Sequence, residues 1–280
     1  MLKNNKVLMK NNDFYRKKAG EIRQKVLKMA FNGKGAHIGS SLSIVDILTI
    51  LYYKILSINP KNPQDENRDR FILSKGHACC ALYAILAKKG FFKEKLLDTY
   101  LQDGSVFAAH PNSMGIPGIE FSSGSLGHGL SIGAGMALAA KNDRKKHRVF
   151  VLLSDGECDE GTNWEAALFA SHHKLDNLTA IIDCNKLQAF GFTKEVLNLE
   201  PLAKKWEAFG CSVREIDGHD YKQILESLKK APFNRNKPNL IIAHTVKGKG
   251  VSFMENQLCW HYQTPSEEQL KIALRELSDQ

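Results

Sequence analysis

The 280-residue chain has no Cys-x-x-Cys pair, no apolar run approaching a membrane span, no internal repeat and no stretch of linker-like composition. A crossing helix needs roughly 20 consecutive apolar residues, and no segment comes near that. The N-terminus is polar and rich in Lys and Asn, without the apolar centre of a signal peptide, so a cytoplasmic protein is expected. The six cysteines (Cys79, Cys80, Cys158, Cys184, Cys211 and Cys259) are scattered and lie mostly among apolar residues. That reads as buried free thiols and disfavours a disulfide framework or a zinc nest. Cys158 sits beside Glu157, Asp159 and Glu160, which would repel a thiolate and make it a poor nucleophile.

Aromatic residues are not interleaved with basic ones, so the chain lacks a stacking platform for bases. The net charge is nevertheless +9. The positive residues are spread over many segments, and the densest run, Lys141–Arg148, reads as a solvated turn between a helix and a strand. Nucleic acid is therefore a weak candidate partner, whereas a basic surface suits anionic small molecules such as sugar phosphates.

Short runs of β-branched and apolar residues predict strands at Phe71–Leu73, Val149–Leu153, Leu178–Asp183, Ser212–Ile216 and Asn239–Ala243. Helical patterns fall at about Asp13–Phe31, Ile44–Leu56, Gly76–Lys89, Ile132–Lys141, from Asn163 onward, Pro201–Phe209, Tyr221–Lys230 and Pro265–Leu277. Ser41 or Ser43 is expected to cap the second of these, and Ser266 with Gln269 the last. Met1–Asn12 reads as a frayed end. Strands alternating with helices give an α/β fold: a doubly wound, mainly parallel sheet with helices on both faces, in one domain over 1–280.

The stretch Val149–Gly191 organises this pattern. A buried strand, an acidic loop with two glycines, a helix and a second buried strand form a βαβ unit. Asp155 and Asn185 then stand just past the carboxyl ends of neighbouring strands, where open α/β sheets bind ligands. A carboxylate and an amide oxygen are hard ligands, suited to Mg²⁺ or Ca²⁺ and not to zinc. Mg²⁺ fills its octahedron with water and phosphate oxygens, so the pair implies a phosphorylated ligand, with Gly156 and Gly161 freeing backbone N–H groups to meet it. The Asp-Gly-x-x-x-Glu-Gly fragment alone reads equally as a solvated turn before a helix.

With Asn185 added, the segment resembles the thiamine-diphosphate fingerprint, and more narrowly that of transketolase. Ala36–Ser41, Leu73–Ala78, His110-Pro111, Pro117–Glu120, Gly124–Gly129, Lys247–Gly250 and His261 agree with that family in its order, so the resemblance covers nearly the whole chain. It implies Asp155, Asn185 and the Leu187 carbonyl as ligands of Mg²⁺, with Ca²⁺ or Mn²⁺ able to substitute. It places the Gly156 and Glu157 backbone on the diphosphate, and Gly124, Ser125, Leu126 and Gly127 along the aminopyrimidine. His37, His77, His110 and His261 would contact diphosphate or substrate hydroxyls and carry protons, while Glu160 would lie at the interface between two cofactor sites.

Taken singly, each of those histidines also reads as an ordinary loop or core residue; their placement on glycine-bearing loops favours a shared cleft. His172, His173 and His244 read as structural, Asp183 as a strand-end turn, and Phe190 and Phe192 as packing residues. Three positions depart from the family pattern: Ser154 for the first fingerprint glycine, Tyr262 for a glycine, and His128 for a frequent glutamine.

Transketolases are roughly twice as long, and this chain matches only their diphosphate-binding half. The resemblance thus implies a separate C-terminal chain that supplies the pyrimidine-binding domain and its activating glutamate, with self-association into an α2β2 heterotetramer. The implied reaction is transfer of a two-carbon ketol unit between sugars or sugar phosphates. The alternatives are one chain of a decarboxylating enzyme for 2-oxo acids, and a non-catalytic module that binds anions or nucleic acid.

Overall fold

The five apolar runs form strands in the computed structural model, which describes residues 2–278, with side chains from residue 12 onward. They are β1 (Arg70–Leu73), β2 (Val149–Ser154), β3 (Leu178–Cys184), β4 (Ser212–Asp217) and β5 (Asn239–His244). All pair in parallel, in the order β1-β2-β3-β5-β4. Alternate side chains enter two separate cores: Phe71, Phe150, Leu152, Ile181 and Ile241 on one face, Ile72, Val151, Leu153, Ile182 and Leu240 on the other. With both faces dry there is no polar side to encode, which is why the central strands β2, β3 and β5 read as nearly unbroken apolar runs, while the half-buried edge strand β4 carries Arg214 and Glu215.

The helices are α1 (Leu2–Gly33), α2 (Ile38–Ser43), α3 (Val45–Ile50), α4 (Cys79–Lys89), α5 (His128–Asn142), α6 (Gly161–His172), α7 (Thr193–Val196), α8 (Leu202–Ala208), α9 (Tyr221–Lys230) and α10 (Glu267–Ser278). The first core is covered by α1–α4, α9 and α10, the second by α5, α6 and α8. This is the doubly wound sheet expected, wholly parallel. α5 achieves its close approach through Gly133, where a methyl group would fall 2.4 Å from Val151 of β2. The reciprocal cap on α10 forms: Gln269 N–H donates to Ser266 Oγ (3.2 Å) and Ser266 N–H to Gln269 Oε1 (2.9 Å).

α1 starts at Leu2, ahead of the Asp13 chosen from sequence, and of the stretch Met1–Asn12 expected to fray, the side chains of residues 1–11 lie outside those described. The buried helix expected over Ile44–Leu56 forms, as α3 running on without a gap into a π-turn, and the short α2 precedes it. α2 begins at Ile38 behind a left-handed His37 (φ 63°), Ile44 separates it from α3, and the π-turn over Leu51–Ile55 ends the run. Ser41 and Ser43 cap neither helix, because Ser43 is committed to the interior, where its hydroxyl donates to Asp183 Oδ2 at 2.7 Å. Among the described residues no helix is long and apolar enough to cross a membrane.

Candidate active site

Four neighbouring strand ends deliver the chemistry-bearing loops to one place: Ser74–His77 after β1, Asp155–Glu160 after β2, Asn185–Gln188 after β3 and Thr245–Lys247 after β5. The register of the parallel sheet puts these carboxyl ends side by side, so residues far apart in sequence become neighbours. Asp155 is 2% exposed. Its Oδ1 accepts from Gly156 N–H (2.8 Å) and its Oδ2 from Lys186 N–H (2.5 Å). Burial, and then the neighbouring Asp183, push this carboxyl up to about 7. A buried carboxylate held only by backbone donors fits a site that takes a cation.

Asn185 Oδ1 accepts from Leu187 N–H at 3.1 Å, and its amide donates to Asp183 Oδ2 at 2.9 Å. The Leu187 carbonyl accepts from the Lys247 ammonium at 3.0 Å, so a cation already meets that oxygen. Among the described residues no three His, Cys, Asp or Glu side chains cluster as a metal nest. One carboxylate, one amide and one carbonyl are instead the mix a hard ion takes when water and phosphate complete its shell.

The four histidines singled out by sequence converge. The His37 ring lies 5.3 Å from that of His77, 6.3 Å from His110 and 4.9 Å from His261, centroid to centroid. Burial, with the Lys247 and Lys75 charges nearby, lowers His37 to about 4 and His261 to about 3. Burial and then Lys75 hold His77 well below its ordinary value, and burial lowers His110. The rings are therefore neutral near pH 7, each with one donor and one acceptor nitrogen. Lys247 Nζ lies 3.0 Å from His261 Nδ1. An ammonium only donates, so the His261 proton must sit on Nε2.

The glycine loop comes to the same cleft because it lacks side chains. A methyl group at Gly124 would meet His110 at 3.1 Å, and one at Gly127 would meet Thr162 Oγ1 at 2.4 Å and Glu160 Cβ at 2.7 Å. Ser125 is exposed, Leu126 half-buried and Gly127 buried. Glu160 is exposed next to Gly127.

Glu157, expected to contribute its backbone, also brings a carboxylate that ties three loops together. It accepts from Ser74 Oγ, from Gly127 N–H (2.8 Å) and from Ser154 N–H (3.2 Å), while Ser74 Oγ accepts from Gly129 N–H (3.1 Å). Ser154, the departure from the family glycine, fits because β2 ends there with no left-handed backbone, and its hydroxyl accepts from Glu157 N–H at 3.2 Å. His128 is exposed at the start of α5 with Nδ1 3.1 Å from the Leu126 carbonyl, and Tyr262 is exposed beside His261.

Three charged residues escaped assignment from sequence. Asp183 is no strand-end turn residue: it is fully buried and paired with fully buried Lys75 at 2.5 Å. Lys247 is 1% exposed and pushed down to about 8, by burial and then by Lys75. The signal was present, since a carboxylate inside an apolar strand cannot be buried alone and requires a nearby lysine. Phe190 and Phe192, expected to pack, are exposed, because the turn carrying them folds back on itself through a bridge between Leu187 and Phe192. His172, His173 and His244 lie outside the cluster and are exposed.

Residues 16–277 match the family model described as "Transketolase, thiamine diphosphate binding domain". The chain is 44% identical over 257 residues to one of the subunits of apulose-4-phosphate transketolase from Phocaeicola vulgatus, covering 92% of this chain and 91% of that one. It is 45% identical over 241 residues to the SqwG subunit of 6-deoxy-6-sulfo-D-fructose transketolase from a Clostridium species, covering 86% and 88%. Among solved structures it superposes on transketolase from Campylobacter jejuni with a TM-score of 0.90 at 33% identity. That superposition covers 95% of this chain but 43% of the Campylobacter one, so this chain spans less than half of that enzyme.

Proposed function

The chain belongs to the transketolase family, as its thiamine-diphosphate-binding subunit, and from that premise we propose a division of labour for the cleft and a second chain that completes it. Thiamine diphosphate, when bound, supplies the nucleophilic carbon and electron sink through which a two-carbon ketol unit passes from a ketose to an aldose. This chain binds the anionic end. Asp155, Asn185 and the Leu187 carbonyl hold Mg²⁺; the Gly156 and Glu157 N–H groups, His77 and the Lys247 ammonium meet the diphosphate. The Gly124–Gly127 backbone lines the aminopyrimidine, held against the diphosphate loop by the Glu157 carboxylate.

His37, His110 and His261 face substrate hydroxyls as neutral rings, and His261 offers its Nε2 proton because Nδ1 is taken by Lys247. Glu160 belongs to the contact between two such sites. The activating glutamate and pyrimidine pocket come from a separate chain, in an α2β2 assembly in the cytoplasm. The substrates are sugars with an anionic tail, a class represented in the names of the relatives and complementary to a net charge of +9.

The observation that carries this reading is the buried Asp155 beside Asn185, Leu187 and Lys247 at the rim of the four-histidine cluster. The test is co-purification with a chain encoded in a neighbouring reading frame, followed by a two-carbon transfer assay. Activity is expected only when both chains, thiamine diphosphate and Mg²⁺ are present. Full activity from this chain alone would refute the division of labour.

A further inference from the structure

Lys247 is held in the cleft by a turn, Thr245–Gly250, and that turn is fixed from behind by a buried polar cluster outside the cofactor site. Asp46 of α3 (3% exposed) accepts a two-pronged bond from Arg23 of α1, at 3.1 and 2.7 Å. It also accepts from Tyr221 Oη at 2.8 Å and lies 2.7 Å from His219 Nδ1. The other nitrogen of that imidazole, Nε2, accepts from the Val246 N–H at 2.8 Å. An N–H donor on Nε2 leaves the ring proton on Nδ1, pointed at the carboxylate. Gly218 lets this loop close on the turn, since a methyl group there would fall 2.4 Å from Thr245 Cγ2. Arg23 Nε reaches the far side of the turn, donating to the Lys249 carbonyl at 3.0 Å.

The contacts form one line: Asp46, His219, the Val246 amide, Lys247, then the Leu187 carbonyl and His261 Nδ1. We propose that His219 is a positioning residue for the cofactor site. Oriented by Asp46, it fixes the Val246 amide so that Lys247 stands between the Leu187 carbonyl and His261, although His219 touches none of the reacting groups. Arg23 braces the same carboxylate and the other end of the turn, so the cluster holds it at two points. The inference deepens the assignment of Lys247 and rests on it.

Two substitutions separate the two bonds of the imidazole. His219→Gln places an acceptor at about the reach of Nε2 and keeps the hold on Val246. His219→Asn keeps the shorter bond to Asp46 and cannot reach Val246. Hydrogen exchange of the Val246 amide in the full chain should stay slow in His219→Gln and accelerate in His219→Asn. Titration with thiamine diphosphate and Mg²⁺ should show His219→Asn weakened roughly tenfold, the low end of what supporting contacts contribute to a metal site, with His219→Gln near wild type. Combining His219→Asn with Lys247→Met should add little to Lys247→Met alone, because both act through one ammonium.

Equal binding by His219→Asn and wild type, unchanged exchange at Val246, or additive losses in the double variant would each overturn the inference. Failure of the parent assignment looks different: Lys247→Met would then bind as well as wild type, and the inference would fall with it, whatever the exchange data show.

Discussion

Replacing Lys75 by Met tests the electrostatic arrangement beneath the site. Lys75 and Asp183 are each 0% exposed and 2.5 Å apart, so neither charge is relieved by water. Burial pushes the Asp183 carboxyl up, but Lys75 and the surrounding hydroxyls outweigh it and hold it below the usual range. Removing the ammonium leaves a buried anion with Ser43 (2.7 Å) and Asn185 (2.9 Å) on Oδ2 and Thr245 on Oδ1. Breaking such a pair costs about 3–5 kcal/mol, and the three surviving donors place this case near the lower figure. At roughly 2–4 °C per kcal/mol, the melting temperature should fall by about 6–12 °C.

The pH dependence gives a second check on the same variant. Wild-type stabilisation from a depressed carboxyl is present above its unfolded value near 4 and lost on acidification. Without Lys75 the carboxyl rises, so the anion can be neutralised by a proton, and the deficit of the variant should shrink between pH 8 and pH 5. Lys75→Met/Asp183→Asn should recover much of the loss. A Lys75→Met chain melting within about 2 °C of wild type at pH 8 would refute the reasoning.

Acid should loosen the histidine cleft. His37, His77, His110 and His261 are all lowered from 6.5, so between about 4 and 6.5 the unfolded chain binds more protons than the folded one. Their contribution is intact above pH 6.5 and disappears as pH falls towards 4; melting curves across that window should show it, with a shallower slope in His37→Asn, and an unchanged slope would contradict the shift. Gly133→Ala should destabilise by about 1–3 kcal/mol through the 2.4 Å collision with Val151, measured by denaturant unfolding. Gly135→Ala, on the same helix with open space around it, should stabilise the isolated chain by roughly 0.5–1 kcal/mol; equal effects at the two positions would mean that helix packing has been misread.

Much of this architecture was legible because central parallel strands buried on both faces write themselves as apolar runs; all five strands were placed within a residue or two, the partly exposed β4 from its β-branched residues between turns. Asp155 and Asn185 were legible as neighbours because loops after such strands must meet at one edge. Of the four histidines only His77 closely follows a strand, and the others were singled out by the family resemblance. The short α2 was not legible, since Ser41 and Ser43 are cap-type residues that mark a helix start at Ile44 and disguise the helical turn Ile38–Ser43 itself. The left-handed His37 has no local signature, being imposed by the backbone bond from its N–H to the His261 carbonyl at 2.9 Å. Asp183 was misjudged because its partner lies 108 positions away, across two strands of the sheet. The exposed Phe190 and Phe192 were missed for the opposite reason: apolar side chains argue for burial, and here the turn that carries them leaves both at the surface.

Calorimetric titration of the chain with thiamine diphosphate, with and without Mg²⁺, in wild type and Asp155→Ala, tests the central claim most directly. Binding should require the metal and be lost in Asp155→Ala while the circular dichroism and melting of that variant show an intact fold. Binding that ignores Mg²⁺, or that survives Asp155→Ala, would contradict the assignment of these loops as the diphosphate anchor.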